Sequence, residues 1–256
     1  GWEGHIDGDI IRAENGFRWN LGVNLSHTGS LVTELPENLT EYYNAYTWNS
    51  GGLRNGIKEG YPITTITGQA YQRNKNGDIL ISPTSGTPLT ESDWSVLGDR
   101  NPKMNFGATT YLSFKGFRLS AMVSGMFGAS VVNGTMRTMM TKGQSWESVR
   151  LRENRHHVFE GVLKDGAENS DNPTKNTIAV DMMNYAGTQI FAGGDEDWFE
   201  KNVNYLKLAE VRLNYTVPTT WLKKATKGFI SKASVFVAAN DLCTLTNYSG
   251  VDPVGN

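Results

Sequence analysis

"NYLKLAEVRLNYTVP", residues Asn204–Pro218, is the stretch on which the fold turns. Tyr205, Ala209, Val211, Leu213, Tyr215 and Val217 share one parity, the two-residue period of a strand with one apolar face. Leu206 and Leu208 sit on the other parity, and Lys207, Glu210 and Arg212 interrupt both. Either a β-bulge near Ala209–Glu210 shifts the apolar set by one residue, or Leu206 and Leu208 point inward. Two architectures accept so long a strand: a soluble β-sandwich and a membrane-spanning β-barrel.

Working outward, "FRWNLGVNLSH" (Phe17–His27) alternates without an error. Phe17, Trp19, Leu21, Val23 and Leu25 face Arg18, Asn20, Gly22, Asn24 and Ser26. Asn15-Gly16 precedes it and predicts a two-residue turn, because that pair tolerates positive φ at both positions. The weaker strand Gly1–Arg12 completes a hairpin. A second hairpin is written in "NFGATTYLSFKGFRLSAMVSGMFG". Phe106, Ala108, Thr110, Leu112 and Phe114, then Phe117, Leu119, Ala121, Val123 and Phe127, share one face across Lys115-Gly116. Val235, Val237 and Ala239 of "ASVFVAAN" pair with the opening stretch across a turn at 218–232 that carries Trp221.

Between these pairs lie long segments. Residues 28–103 contain "NKNGD", whose Asn76-Gly77 predicts a hairpin tip. Residues 128–203 are polar and rich in Gly, Asn and Asp. Tiny turns therefore alternate with very long loops, the asymmetry of outer-membrane barrels. On this reading Asn15-Gly16, Lys115-Gly116 and 218–232 are periplasmic, and 28–103, 128–203 and 240–256 are external. No convincing amphipathic helix is present, so helical content is expected to be low.

Composition narrows the class. The chain has 256 residues, 38% hydrophobic and 20% charged, too apolar for a disordered chain. No run of 18 apolar residues exists to make a membrane helix, but barrel strands need only about 9–11 residues, half of them polar. A net charge of −2 supplies no basic surface for nucleic acid. One cysteine, Cys243, excludes an intrachain disulfide. Gly1 at the start and turn-like "VDPVGN" at the end read as cut ends of a longer protein.

Catalytic and metal chemistry find little support. His156-His157 are adjacent, so on a strand they point to opposite faces, and no third ligand is near. Asp165, Glu168 and Asp171, and Asp195, Glu196 and Asp197, offer oxygens for loop-bound calcium, but their spacing is not that of an EF-hand, and a solvated loop face fits them better. No Gly-x-Ser-x-Gly, Walker or Gly-x-Gly-x-x-Gly motif occurs. Paired carboxylates fall only in loops, so no enzyme is expected, whether secreted hydrolase or other.

Six pieces, in order, resemble the SusC/RagA-like TonB-dependent outer-membrane transporters. They are "GWEGHIDGDII" with "FRWNLGVNLSHTGSLVTEL"; "GYPITTITGQAYQRNKNGDIL"; "LGDRNPKMNFGATTYLSFKGFRLS"; "VFEGVLKDG" with "NTIAV"; "NYLKLAEVRLNYTVP"; and "VFVAANDLCTLTNYSGVDP". The resemblance implies an all-β fold, part of an antiparallel transmembrane β-barrel of roughly 22 strands with a plugged lumen. Residues 1–256 would be its C-terminal part, without the plug domain or the final closing strand. It also implies import of oligosaccharides or peptides across the bacterial outer membrane. A SusD-like surface lipoprotein would act as lid, and the TonB complex would engage through the N-terminal region.

The side chains then divide. Leu21, Val23, Leu112, Leu119 and Val123 are expected to face outer-membrane lipid, and Asn20, Asn24, Ser120 and Ser124 the lumen. Arg at Leu112 should cost about 2–4 kcal/mol if it lies near the midplane. Trp19, Phe106, Phe114, Phe117 and Tyr215 suit an interfacial girdle. Trp48, Trp146, Tyr185, Trp198 and Phe199 are candidates to contact ligand or partner, with packing of the loops as the simpler role for any one of them. A soluble β-sandwich acting as a carbohydrate-binding or surface-adhesion module is the alternative.

Overall fold

The computed structural model describes residues 1–43, 53–182 and 194–253. Two compact units divide these residues.

The first unit (1–29, 102–129 and 202–248) is built on a six-stranded sheet. Its strands, in sheet order, are β1 (Trp2–Arg12), β2 (Arg18–His27), β8 (Met104–Phe114), β9 (Phe117–Val132), β11 (Phe199–Thr216) and β12 (Ser234–Thr246). The β1–β2, β2–β8, β8–β9 and β11–β12 pairs are antiparallel. Registry fixes the faces. Val23 lies between Ile6 and Ala108, and Ala108 also opposes Val123. Leu112 lies between Trp19 and Leu119. Leu21, Val23, Leu112, Leu119 and Val123 therefore share one face, while Asn20, Asn24, Ser120 and Ser124 share the other.

Among the described residues of this unit, no second sheet packs on the apolar face. Ile6 is 80% exposed and Val237 73%, and Phe117, Leu119 and Leu213 are exposed as well. A β-sandwich buries this face against a partner sheet about 10 Å away. Registry also corrects the depth of Leu112: it is two residues from the Phe114–Phe117 turn pair and so near the rim, while Ala108 and Val123 lie centrally.

The turns follow their chemistry, with one change. Lys115 (φ 45°) and Gly116 (φ 86°) both adopt positive φ between the paired Phe114 and Phe117, a two-residue type I′ connection. The β1–β2 turn is not two residues long, as Asn15-Gly16 predicted. Gly16 N donates to Ala13 O (3.0 Å) and Ala13 N to Phe17 O (2.9 Å), leaving Glu14, Asn15 and Gly16 as the loop. Only Gly16 has positive φ, and Asn15 Oδ1 instead accepts from Phe17 N at 3.0 Å. This is a type I turn closed by a bulge, the usual three-residue solution.

A bulge does occur beside the opening stretch, but its extra residue sits on the partner strand, so parity within Asn204–Pro218 is not shifted and Leu206 and Leu208 keep the opposite face from Val211 and Leu213. Leu208 opposes Cys243 and Glu210 opposes Asn240, so Asp241 and Leu242 together face Ala209. Asp241 adopts φ 53°, and its carboxylate lies 2.9 Å from Lys207 Nζ. As a result β12 runs on to Thr246, where the sequence reading placed an external segment from 240 onward. The 218–232 turn contains a short helix, α3 (Thr219–Ala225).

The second unit (30–101, 130–201 and 249–256) shows that the long segments are not structureless loops. Strands β3 (Tyr42–Tyr43), β4 (Arg54–Ile57), β5 (Thr65–Gly68) and β7 (Ser95–Asp99) form one sheet. Strands β6 (Leu80–Ile81) and β10 (Val162–Leu163) pair in parallel. Helices α1 (Gly134–Thr141) and α2 (Trp146–Glu153) are capped by Asn133 Oδ1, which accepts from Met136 N, and Ser145 Oγ, which accepts from Ser148 N. Each is only eight residues long, too short for helical periodicity to stand out in sequence. Leu53, Ile66, Leu97, Val132, Met140, Trp198 and Phe199 form the core. "NKNGD" is a hairpin tip as expected: Gly77 has φ 90°, and Asn74 Oδ1 accepts from Asn76 N and Asp78 N, both at 2.9 Å.

Candidate functional site

The first unit presents a wall with two chemistries. On the apolar face, the polar atoms of Trp19 and Thr110 satisfy each other: Trp19 Nε1 donates to Thr110 Oγ1 (2.9 Å), which donates to Asn20 O (3.0 Å). A hydroxyl and an indole N–H thus sit on an apolar surface with no donor left over, as a hydrocarbon environment requires. Phe117 and Tyr215 stack at the rim with centroids 4.5 Å apart.

The opposite face is polar and carries charge. Asn20 Nδ2 donates to Asp9 Oδ1 at 3.3 Å, and Arg12 Nε donates to Asp9 Oδ2 at 3.0 Å. The Arg118 guanidinium lies 4.4 Å over the Tyr111 ring, and that of Arg212 lies 3.9 Å over Phe236. Thr109, Tyr111, Ser120, Met122 and Glu210 line a dent of about 130 Å³. Cationic, acidic, amide and aromatic groups on one wall can hydrogen-bond and stack with a hydrophilic solute. They include no nucleophile with an adjacent base.

In the second unit, the acidic run is a fastener. Asp195 Oδ2 accepts from Gln69 N (2.9 Å) while Asp195 N donates to Gln69 O (2.7 Å). Glu196 accepts from Tyr71 N (3.4 Å) and pairs with Arg73. Tyr71 OH donates to Asp197 Oδ2 at 2.5 Å. Burial pushes the Asp197 carboxyl above its ordinary value and the Glu196 charge adds to this, against the Tyr71 hydrogen bond. Asp195 is thus buried in this clamp and Glu196 half-buried, while Asp197 stays exposed at its edge. The partners lie some 125 residues apart in the chain, so no local signal reveals the clamp.

Other loop candidates take simpler roles. Asp165 Oδ1 accepts from Ala167 N (2.9 Å), Glu168 accepts from Gly166 N (2.7 Å), and Asp171 is fully exposed. His157 exchanges two backbone hydrogen bonds with Val180, and its ring meets Phe159 edge-on at 4.6 Å. Among the described residues, no three His, Cys, Asp or Glu side chains gather to hold a metal. A groove of about 530 Å³ runs between Val158–Val162 and Asp171–Asn176, with Glu160 and Lys175 giving it both signs of charge. Of the five candidate contact aromatics, Trp198 and Phe199 are buried in the core, each 8% exposed, and Trp146 is 76% exposed at the start of α2. Trp48 and Tyr185 lie outside the described residues.

The chain is similar to the TonB-dependent receptor P39 of Formosa agariphila, 23% identical over 298 residues, across 100% of this chain and 27% of the relative. Along its whole length the chain resembles the SusC/RagA-like TonB-dependent receptors. It also superposes on the solved RagAB peptide transporter, with a TM-score of 0.59 and 18% identity over 99% of this chain and 26% of that one. The RagAB peptide importer in its "closed-closed" state gives 0.60 over 98%, and in its "open-open" state 0.59 over 99%. No protein-family model matches the chain. The six-stranded sheet thus has the fold of a sector of an antiparallel transmembrane β-barrel, and these relatives are bacterial outer-membrane proteins. The chain spans about a quarter of the length of these relatives, which are a receptor and transporters rather than enzymes.

Proposed function

We propose that residues 1–256 are the C-terminal part of a TonB-dependent outer-membrane importer of oligosaccharides or peptides. The observation that carries the reading is the sheet itself: one continuous apolar face whose side chains stand exposed among the described residues, backed by a polar, aromatic-studded face. In a barrel the first face meets lipid at Leu21, Val23, Leu112, Leu119 and Val123, and the second lines the path of the solute. The plug and the closing strand belong to the rest of the protein. A SusD-like lipoprotein closes the external side, and the TonB complex supplies energy from the periplasmic side. Likeness to a peptide importer supports this assembly and favours a peptide over a glycan.

Fractionation of native cells, followed by purification of the full-length protein, tests the proposal. The expected result is recovery in the outer membrane, a requirement for detergent, and co-purification of a surface lipoprotein. Uptake of labelled peptides or oligosaccharides should then disappear in cells lacking the gene. A detergent-free, soluble monomer would overturn the reading and leave the sandwich module in its place.

A further inference from the structure

We propose that the connection between β11 and β12, residues 217–233, anchors the barrel to anionic phospholipid headgroups of the periplasmic leaflet. This rests on the membrane reading of the sheet. The segment "VPTTWLKKATKGFISKA" carries Lys223, Lys224, Lys227 and Lys232, and no carboxylate occurs from Val211 to Asn240. All four lysines are exposed. Beside them stand large exposed apolar side chains: Trp221 is 65% exposed and Phe229 93%.

The segment is not slack. Leu222 is buried and holds α3 down. Thr226 Oγ1 donates to Leu222 O (2.8 Å) and accepts from Ile230 N (3.1 Å). Gly228 N donates to Lys223 O (2.9 Å) and Phe229 N to Thr226 O (3.1 Å). Lys227 takes φ 52° and Gly228 φ 84° to make this turn. A non-glycine residue in the left-handed region is held there by its surroundings, and here the outcome is a rigid projection of Phe229.

Position completes the argument. Thr216 N donates to Gly116 O at 2.8 Å, so the segment rises at the same end of the sheet as the Lys115-Gly116 turn. Phe114, Phe117 and Tyr215 ring that end, with Lys115 Nζ 5.0 Å over Phe114. The three short connections at this end hold five lysines and a single carboxylate, Glu14. Indole and phenyl rings prefer the headgroup level, and lysines above them reach lipid phosphates. A solvated turn would need neither the exposed rings nor the one-sided charge.

The full-length protein in nanodiscs decides the matter. Discs of phosphatidylethanolamine alone are compared with discs containing phosphatidylglycerol. For the unaltered protein, the anionic lipid should raise the thermal midpoint, and salt should erase the rise. In the combined variant Lys223→Gln, Lys224→Gln, Lys227→Gln and Lys232→Gln, the rise should vanish, and co-purifying phosphatidylglycerol should fall by about tenfold or more. Brominated lipid should quench less fluorescence in Trp221→Phe than in the unaltered protein. An unchanged lipid-dependent rise in the lysine variant would overturn the anchor, as would unchanged quenching in Trp221→Phe. Loss of a periplasmic protein partner, with the lipid response intact, would instead mark a protein-docking surface and also overturn it. A barrel that still inserts into discs separates these failures from failure of the importer reading.

Discussion

Arginine scanning along the apolar face tests the membrane wall most directly, because registry sets the depth of each side chain. A strand residue advances about 3.4 Å, or about 2.4 Å along the membrane normal at a tilt of about 45°. With the rim at the Phe114–Phe117 pair and an apolar band about 25 Å tall, the midplane lies about five residues inward. Ala108 and Val123 are six residues inward, and Val23, opposite Ala108 one strand over, lies within about 3–4 Å of its depth across the tilted sheet. Leu112 is two residues inward, about 5 Å below the rim by the same rise and tilt. Val23→Arg should therefore cost about 2–4 kcal/mol and Leu112→Arg about 0–1 kcal/mol, the interfacial value. The assay is folding of the full-length protein in lipid vesicles against denaturant, followed by tryptophan fluorescence. Equal costs at the two positions, or a harmless Val23→Arg, would refute the depth assignment and the lipid-facing wall with it.

Three further outcomes are expected. Trp198→Ala should destabilise the second unit by about 3–5 kcal/mol, as truncation of a buried Trp does, and should lower hydrogen-exchange protection at Ile66 and Leu97, its neighbours in the core. Burial raises the Asp197 carboxyl, so the folded unit favours its protonated form. Stability from this group is present below the ordinary Asp value and declines as pH rises through the raised one. Asp197→Asn should accordingly remove that decline, read as exchange protection at Gln69–Arg73 corrected for intrinsic rates. Trp146→Ala should change stability by less than about 0.5 kcal/mol because the ring is exposed. If Trp146 contacts lid or solute, it should still weaken binding of the lipoprotein or labelled substrate, measured by calorimetry.

The barrel sector was legible in the sequence because its determinants are local. Alternation over ten residues sets which face is apolar, and Lys115-Gly116 sets its own turn. Even there, length and position needed partners. The three-residue loop at Glu14–Gly16, the extra residue at Asp241–Leu242 and the shallow depth of Leu112 depend on which residues face each other across strands. Of the second unit, only the Asn76-Gly77 hairpin tip was legible. Its polar, glycine-rich segments carry weak periodicity, and its order comes from contacts such as Asp195 with Gln69 and the Phe199 ring against Gly98, between residues about a hundred or more positions apart. The sequence by itself determined a two-faced sheet, because side-chain parity is a property of one strand. Only the tertiary structure decided that the acidic run is a clamp and that Trp198 and Phe199 are core. Those roles exist only once distant segments meet and exclude water.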